Sequence, residues 1–356
     1  MRYVLRTSYR QDTRLFKDGL PQYGWYLAML ACALAAPAFL GIHHVSQLTF
    51  VLIFAIAGIG FQIMLGFCGL ISLGQAGFLA IGAYACVFLE RRGVPFVLAL
   101  PAAALISAAA GAALGVPVLR LKGLYLAMAT MSLGFIIEEA AARWTTVTGG
   151  NAGMMVPPIS VFGYRLGSDV PLYFLCLGLL LASLWVAANL LRSPTGRAMV
   201  AVRDSQIAAQ SMGVEAARVK TKAFALSAFF TGIAGALMAH KLSFISPDQF
   251  TLAISIELLI MILIGGIGSL RGVVFGAIFL VAMPELLAEL EQLLPGGNLP
   301  ALRPLAFGLL LILVMLFEPR GINGLVEKAV DYVKLVPLYR KGMFARQRSF
   351  AKSERW

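Results

Sequence analysis

Charge is scarce in this chain. Only 13% of its 356 residues are Asp, Glu, Lys or Arg, where an ordinary soluble domain carries about 25%. With so few charges there is little to clothe a large water-facing surface. Histidine and cysteine are scarcer still, at three and four residues. Cys32, Cys68, Cys86 and Cys176 lie scattered through apolar runs without CxxC spacing, so they read as small hydrophobes. His43, His44 and His240 make no HExxH pattern, and no metal site is expected from spacing alone. The chain has no GxxxxGK[ST] run and not even a Gly-Lys dipeptide, which excludes the usual backbone cradle for nucleotide phosphates. Nor is there a basic, aromatic-interleaved soluble stretch of the kind that binds nucleic acid.

Apolar sequence is what the chain has in excess, at 60% of residues. About 20 apolar residues in a helix cross a bilayer core. Runs of that kind fall near 25–41, 48–67, 76–90, 94–117, 123–140, 171–191, 223–240, 252–266, 272–294 and 303–317. The expectation is an all-α polytopic membrane protein of about ten transmembrane helices, with a transmembrane body over 25–318 between an N-terminal segment (1–24) and a basic tail (319–356). A β-barrel is excluded, because its strands would alternate in polarity rather than run continuously apolar. The charged leader before the first run is long for a signal peptide, so the first span is expected to stay uncleaved.

The net charge of +12 acquires meaning from its distribution. With the N-terminus inside, 23 Lys and Arg residues fall on the inner side and 6 on the outer side. The asymmetry obeys the positive-inside rule and places both termini in the cytoplasm. The basic balance therefore speaks of topology and anionic lipid. Glu90-Arg91-Arg92, on the outer side, is a local exception that leaves the boundaries near 68–92 loosely defined.

Several runs interrupt apolar helix with small or polar residues. In GFCGLISLGQAGFLAIGAY (66–84), Ser72 and Gln75 bring hydrogen-bonding groups to membrane depth, where protein or cavity water must satisfy them. The glycines there suit either a broken helix bordering a transport pathway or close helix packing. Thr130 and Ser132 add hydroxyls inside the span near 123–140, within the run LKGLYLAMATMSLGFIIEEAAARW (121–144). Gly149-Gly150-Asn151-Ala152-Gly153 makes a turn-rich outer loop, either connecting or partner-binding. Glu257 is an intramembrane carboxylate, for which function or pairing is the default reading and a solvated helix end the plain one. Gly265-Gly266-Ile267-Gly268-Ser269 reads as a tight turn; its glycines miss GxGxxG spacing and no strand precedes them. Ser72-Leu73 with Phe78 loosely parallels Ser269-Leu270 with Phe275, hinting at duplicated architecture. Glu285, Glu289 and Glu291 give a span an acidic outer edge, solvated or open to a basic partner.

The stretch SPTGRAMVAVRDSQIAAQSMG (193–213) differs from all of these. Ser193-Pro194 suits an N-cap and first helical position. Asp204 is placed to cap a second short helix over Ser205–Met212, and Gly213 to close it in the left-handed region. Were the helix continuous, Ala198, Val202, Ser205, Ala209 and Met212 would form an apolar stripe, with Arg197, Arg203 and Asp204 offering charge to a soluble partner.

This stretch closely resembles the cytoplasmic coupling segment of permeases in branched-chain amino-acid ABC transporters. SLGQAGFLAIGAY, LKGLYLAMATMSLG, TGGNAG, IGGIGSLRGVVFGA and EPRGI are similar to further motifs of that family, in family order, across roughly residues 45–325. Within the family the chain looks like the LivM-type subunit rather than the shorter LivH-type one. The resemblance implies the ABC importer permease fold, in a multi-pass protein of the bacterial inner membrane. It further implies a second, LivH-type permease, two cytoplasmic ABC ATPases that hold ATP and Mg, and an external solute-binding protein. No cofactor and no catalytic residue would belong to this chain. Arg197, Arg203, Asp204, Ala208, Ala209 and Gly213 would couple it to the ATPases. Ser72, Gln75, Thr130, Ser132 and Glu257 would line the pathway. Asn151, Glu285 and Glu289 would meet the binding protein. Gln206 stands where such sequences commonly carry an acidic residue. A permease for urea or short amides shares these motifs and is the nearest alternative. An ion-gradient carrier would show more buried ionisable groups than Glu257, and an intramembrane enzyme would need a nucleophile, base or metal cluster that the spacing does not suggest.

Overall fold

A computed structural model describes residues 20–118, 123–161, 164–165, 169–293, 308, 312 and 321–325. Every expected span up to residue 294 coincides with a helix: α1 (Leu20–Phe39), α2 (Ile42–Gln62), α3 (Gln75–Arg91), α4 (Phe96–Val118), α5 (Leu124–Arg143), α6 (Asp169–Arg192), then beyond the 193–213 segment α9 (Ala216–Leu242), α10 (Leu252–Gly265) and α11 (Leu270–Leu293). Two short helices, α7 (Pro194–Asp204) and α8 (Gln206–Ser211), lie between α6 and α9. The span expected at 303–317 falls almost wholly outside the described residues.

Six stretches among the described residues are long and apolar enough to cross a bilayer: Ile42–Phe67, Phe96–Ala113, Leu124–Arg143, Asp169–Arg192, Ala216–Leu242 and Pro247–Gly265. The molecule is thus a polytopic helical membrane protein. At about 1.5 Å per residue, α3 spans roughly 26 Å, short of the roughly 30 Å hydrocarbon core. The reason lies at its start. A single π turn (Ile63–Phe67) extends α2, the chain turns at Gly69 with φ +73°, and helix resumes only at Gln75.

The core forms around two helices. In the most apolar 18-residue stretch of Ile42–Phe67 and of Ala216–Leu242, 83% of the residues are buried, against 22% in that of Leu124–Arg143 and 28% in that of Asp169–Arg192. α9 packs on α4, α3 and α2, and glycine makes that closeness possible. Gly82 lies against the Gly232 backbone and Gly235 against the Leu79 carbonyl, so an added Cβ at either site would collide with main chain. The peripheral helices instead present Leu124, Met128, Ile136, Leu181 and Trp185 outward, as lipid-facing or subunit-facing surfaces require.

Two small antiparallel pairs qualify the all-α expectation. β1 (Met154–Met155) pairs with β4 (Phe244–Ile245), and β2 (Ser160–Val161) with β3 (Tyr164–Arg165). Open sheet edges are not found against lipid, so these ribbons belong at a water-facing end. Around them gather the groups the charge count assigns to one side: Arg91 Nη2 donates to the Met155 carbonyl (2.8 Å), and Lys241 Nζ to Asp169 (2.6 Å). The 149–155 loop is therefore structural as well as connecting, because Gly153 is pressed against Phe244 and Ile245.

Candidate functional site

The break between α2 and α3 is the polar centre of the bundle. Gln75 is fully buried; its amide donates to Ser227 Oγ (3.3 Å), and its Oε1 accepts from Thr231 Oγ1 (3.2 Å), both midway along α9. Ser255 Oγ on α10 accepts from the Ala76 amide (2.9 Å). Thr130 Oγ1 on α5 accepts from the Leu73 amide (3.0 Å) and donates to the Ala127 carbonyl (3.0 Å). Ser72 Oγ, also buried, accepts from the Gly74 amide (3.3 Å). These side chains take up the backbone groups that the broken helix frees, as membrane depth demands. The expected pathway residues Ser72, Gln75 and Thr130 thus converge inside one subunit as a knot joining α3, α5, α9 and α10. Ser132 stands apart, exposed on α5 and bonded to its own helix at Met128. Glu257 is half-buried on α10, with no hydrogen-bond partner among the described residues.

A second break faces the first. α10 ends at Gly265, and Gly266 (φ +114°) and Gly268 (φ +82°) turn the chain into α11, as the tight-turn reading expects. Gln62 Nε2 donates to the carbonyls of Gly266 (3.2 Å) and Ser269 (3.3 Å), while a Cβ at Gly66 would meet the Gly268 nitrogen at 2.8 Å. The two glycine-serine runs are therefore physical neighbours, each joining a helix pair. Among the described residues Gln62 Oε1 is buried without a hydrogen-bond partner at this joint, a cost of about 1–3 kcal/mol.

The 193–213 segment docks onto the same joint. Ser193 caps α7, accepting from the Gly196 amide (3.3 Å) with Pro194 behind it. Gly196 lies where a Cβ would strike Leu191, fixing a tight corner after α6. Met199 and Val202 bury the inner face of α7, and Ala209 that of α8. Ser205, not Asp204, caps α8 (Ala208 amide to Oγ, 3.3 Å). The helix breaks there, so the continuous stripe from Ala198 to Met212 does not form, and Met212 is exposed. Asp204 has other work: its Oδ1 accepts from Arg203 Nε (3.1 Å) and Nη2 (3.0 Å). That holds the guanidinium so that Nη1 donates to the Gly66 carbonyl at 2.8 Å. Arg203 also packs on Gly69 and comes close to Gly268. One side chain thereby links the segment to both helix breaks.

The other residues expected to couple face outward. Ala208 is exposed, and Arg197 Nη1 donates back to the Arg192 carbonyl (2.8 Å). Gly213 closes α8 at φ +83° with open space around it. A β-branched Val there would sit in the left-handed region at a cost of about 1–2 kcal/mol. Gly213→Val is therefore expected to distort the exit from α8 and depress uptake, with normal membrane insertion checked by detergent size-exclusion. Gln206 turns inward, its Oε1 accepting from Lys220 Nζ (2.9 Å) on buried α9 backbone. An acidic residue at 206 would make an ion pair inside this chain rather than reach a partner, and Gln206→Glu is expected to leave uptake unchanged in a transport assay.

At the opposite end a cleft of about 500 Å³ is lined by Phe135, Glu138, Glu139, Arg143, Asn151 and Asp248, among others. It brings the expected docking residue Asn151 beside three carboxylates. Glu285 lies elsewhere on that end, accepting from His43 Nε2 at 3.0 Å; the Glu289 side chain is outside the described residues. His240, near the end of α9, is buried.

The molecule is a bundle of membrane helices with two breaks at a shared joint, and a charged surface segment grips that joint. The family described as "Branched-chain amino acid transport system / permease component" matches residues 44–317. The chain is 36% identical over 324 residues to the high-affinity branched-chain amino acid transport system permease protein LivM of Salmonella typhimurium, covering 83% of this chain and 73% of that protein. LivM of Escherichia coli matches to the same extent. The autoinducer 2 import system permease protein LsrC of Klebsiella pneumoniae is 30% identical over 176 residues, 47% of this chain and 48% of that one. No solved structure matches. The chain belongs to the permease family of branched-chain amino acid transport systems: it is a multi-pass inner-membrane transport subunit of an ABC transporter, and not an enzyme.

Proposed function

We propose that this chain is the LivM-type half of an ATP-driven importer of leucine, isoleucine, valine or related amino acids, and that α7–α8 is its mechanical input. In this reading it spans the membrane ten times with both termini in the cytoplasm, which follows from the charge count. It pairs with a LivH-type permease, two cytoplasmic ABC ATPases that hold ATP and Mg, and an external solute-binding protein.

One observation carries the reading: Arg203 Nη1 bonds the Gly66 carbonyl at 2.8 Å while Asp204 braces the guanidinium. A push on the exposed face of α7–α8 moves Arg203. Arg203 carries the end of α2 with it, and the Gln62 amide passes the displacement to the α10–α11 turn. The polar knot around Gln75 then has to re-pair, which changes how α3, α5 and α10 meet. Exposed Ser132 on α5 and half-buried Glu257 on α10 are placed to meet substrate where this permease faces its partner. Asn151, Glu285 and Glu289 offer the outer end to the binding protein.

The test is reconstitution of the four transporter subunits in proteoliposomes with the binding protein outside. Leucine loaded on that protein is expected to stimulate ATP hydrolysis and accumulate inside, whereas urea is not. Stimulation by urea alone would overturn the substrate assignment. Uptake that ignores ATP and follows an ion gradient would overturn the mechanism.

A further inference from the structure

Three side chains that the transport reading does not use meet near the outer ends of α3 and α9. Cys86 and Glu90 stand one turn apart on the same face of α3, and His240 approaches from α9. His240 Nε2 lies 3.3 Å from Glu90 Oε2 and 4.0 Å from Cys86 Sγ. All three potential ligand atoms lie within 4.8 Å of one another. The His240 and Glu90 side chains are only 2% and 8% exposed. Yet among the described residues Glu90 Oε2 accepts no hydrogen bond: the imidazole is near but poorly aligned. A buried carboxylate in that condition is costly unless a positive charge compensates it.

We propose that Cys86, Glu90 and His240 form a binding site for a divalent transition-metal ion of the zinc type. One thiolate, one imidazole and one carboxylate are the donors such an ion prefers. With metal–ligand bonds of about 2.0 Å to N and O and about 2.3 Å to S, tetrahedral angles put nitrogen and oxygen about 3.3 Å apart and sulfur about 3.6 Å from nitrogen. The cluster is at the first separation already and needs a few tenths of an ångström to reach the second. Three protein ligands leave one position for water. The cation would neutralise Glu90 and draw the proton from the Cys86 thiol, giving the orphaned carboxylate oxygen its partner. The Phe96 ring, edge-on to His240 at 5.0 Å between centroids, fixes the imidazole plane. The bound ion would cross-link α3 to α9 at the end opposite the coupling segment, so that the helix break, rather than the outer contact, gives way during transport. The rival is a protonated His240 paired with Glu90, with no metal at all.

The full-length permease, purified with its partner subunits in nanodiscs, is titrated with Co²⁺ as a spectroscopic stand-in. One equivalent per chain is expected to produce a thiolate-to-cobalt charge-transfer band, which Zn²⁺ abolishes. Cys86→Ser should remove the band. His240→Ala should weaken affinity by at least the roughly 10–100-fold that loss of an outer-shell partner costs a metal site. Because His240→Ala also leaves a hole beside Phe96, X-ray absorption of the zinc-loaded wild type supplies a reading that needs no variant: one sulfur and nitrogen or oxygen neighbours in the first shell. A sulfur-free shell, the absence of a charge-transfer band, or a band that survives Cys86→Ser through another cysteine would each overturn the site. None of these results bears on transport itself, so this inference and the transport reading fail independently.

Discussion

Replacing Arg203 with Ala is expected to leave the transporter assembled and hydrolysing ATP while uptake falls about ten-fold or more, since a hydrogen bond to a charged group contributes about 1.5–3 kcal/mol. The bond in question is Nη1 to the Gly66 carbonyl, which ties α7 to the end of α2 through a charged group. Its loss would let the segment move without carrying the helix break. Arg203→Lys is expected to recover little. The guanidinium serves Gly66 through one nitrogen and Asp204 through two others, and an ammonium lacks that planar fork. Asp204→Asn should fall between, because it keeps an acceptor for Arg203 but removes the charge. Hydrolysis and uptake measured on the same proteoliposomes decide the matter. If both fall in proportion, Arg203 serves assembly rather than transmission.

Gly235→Leu should be more damaging still, at the level of folding. Gly235 meets the Leu79 carbonyl directly, and the neighbouring Gly82–Gly232 contact leaves the two helices no room to part locally. Over-packing usually costs about 1–3 kcal/mol when side chains can give way. Here the obstacle is main chain, so the cost should exceed that range and consume much of a total stability of roughly 5–15 kcal/mol. Fluorescence-detected size-exclusion should show aggregated or absent protein. Gly178→Leu is the control: nothing lies within 4 Å of its Cβ position on α6, and that variant should elute as wild type. A monodisperse Gly235→Leu protein would mean that α3 and α9 are looser than their backbone contact implies.

Much of the helical layout was legible in the sequence because hydropathy over twenty residues averages out local detail. In the run at 66–84 a helix break and close packing both occur, while its bordering a transport pathway belongs to the proposed function. Gly69 lies in the turn, while Gly74, Gly77 and Gly82 let α3 approach α5 and α9. Pairings across long separations were not legible. Nothing about Cys86 or Glu90 announces His240 some 150 residues away, and nothing about Gln206 announces Lys220. The misassigned cap has a similar origin. Asp204 and Ser205 are both good N-caps, and the choice was settled by Arg203, which claims the Asp204 carboxylate and leaves Ser205 to begin α8. Ser132 and Gln75 looked alike as polar groups in apolar spans; only their helices' partners separate a buried strut from an exposed hydroxyl.

The corner at Ser205 leaves helices of eleven and six residues, each below the roughly 12–15 residues at which an isolated helix becomes even marginal in water. Neither would persist unaided. Their shape is imposed by the permease body, through Met199, Val202, Ala209 and the Lys220–Gln206 bond. On the proposed coupling role, a motor protein that takes hold of this handle would find it already rigid, so little of the work of each catalytic cycle would be lost in ordering a soft linkage.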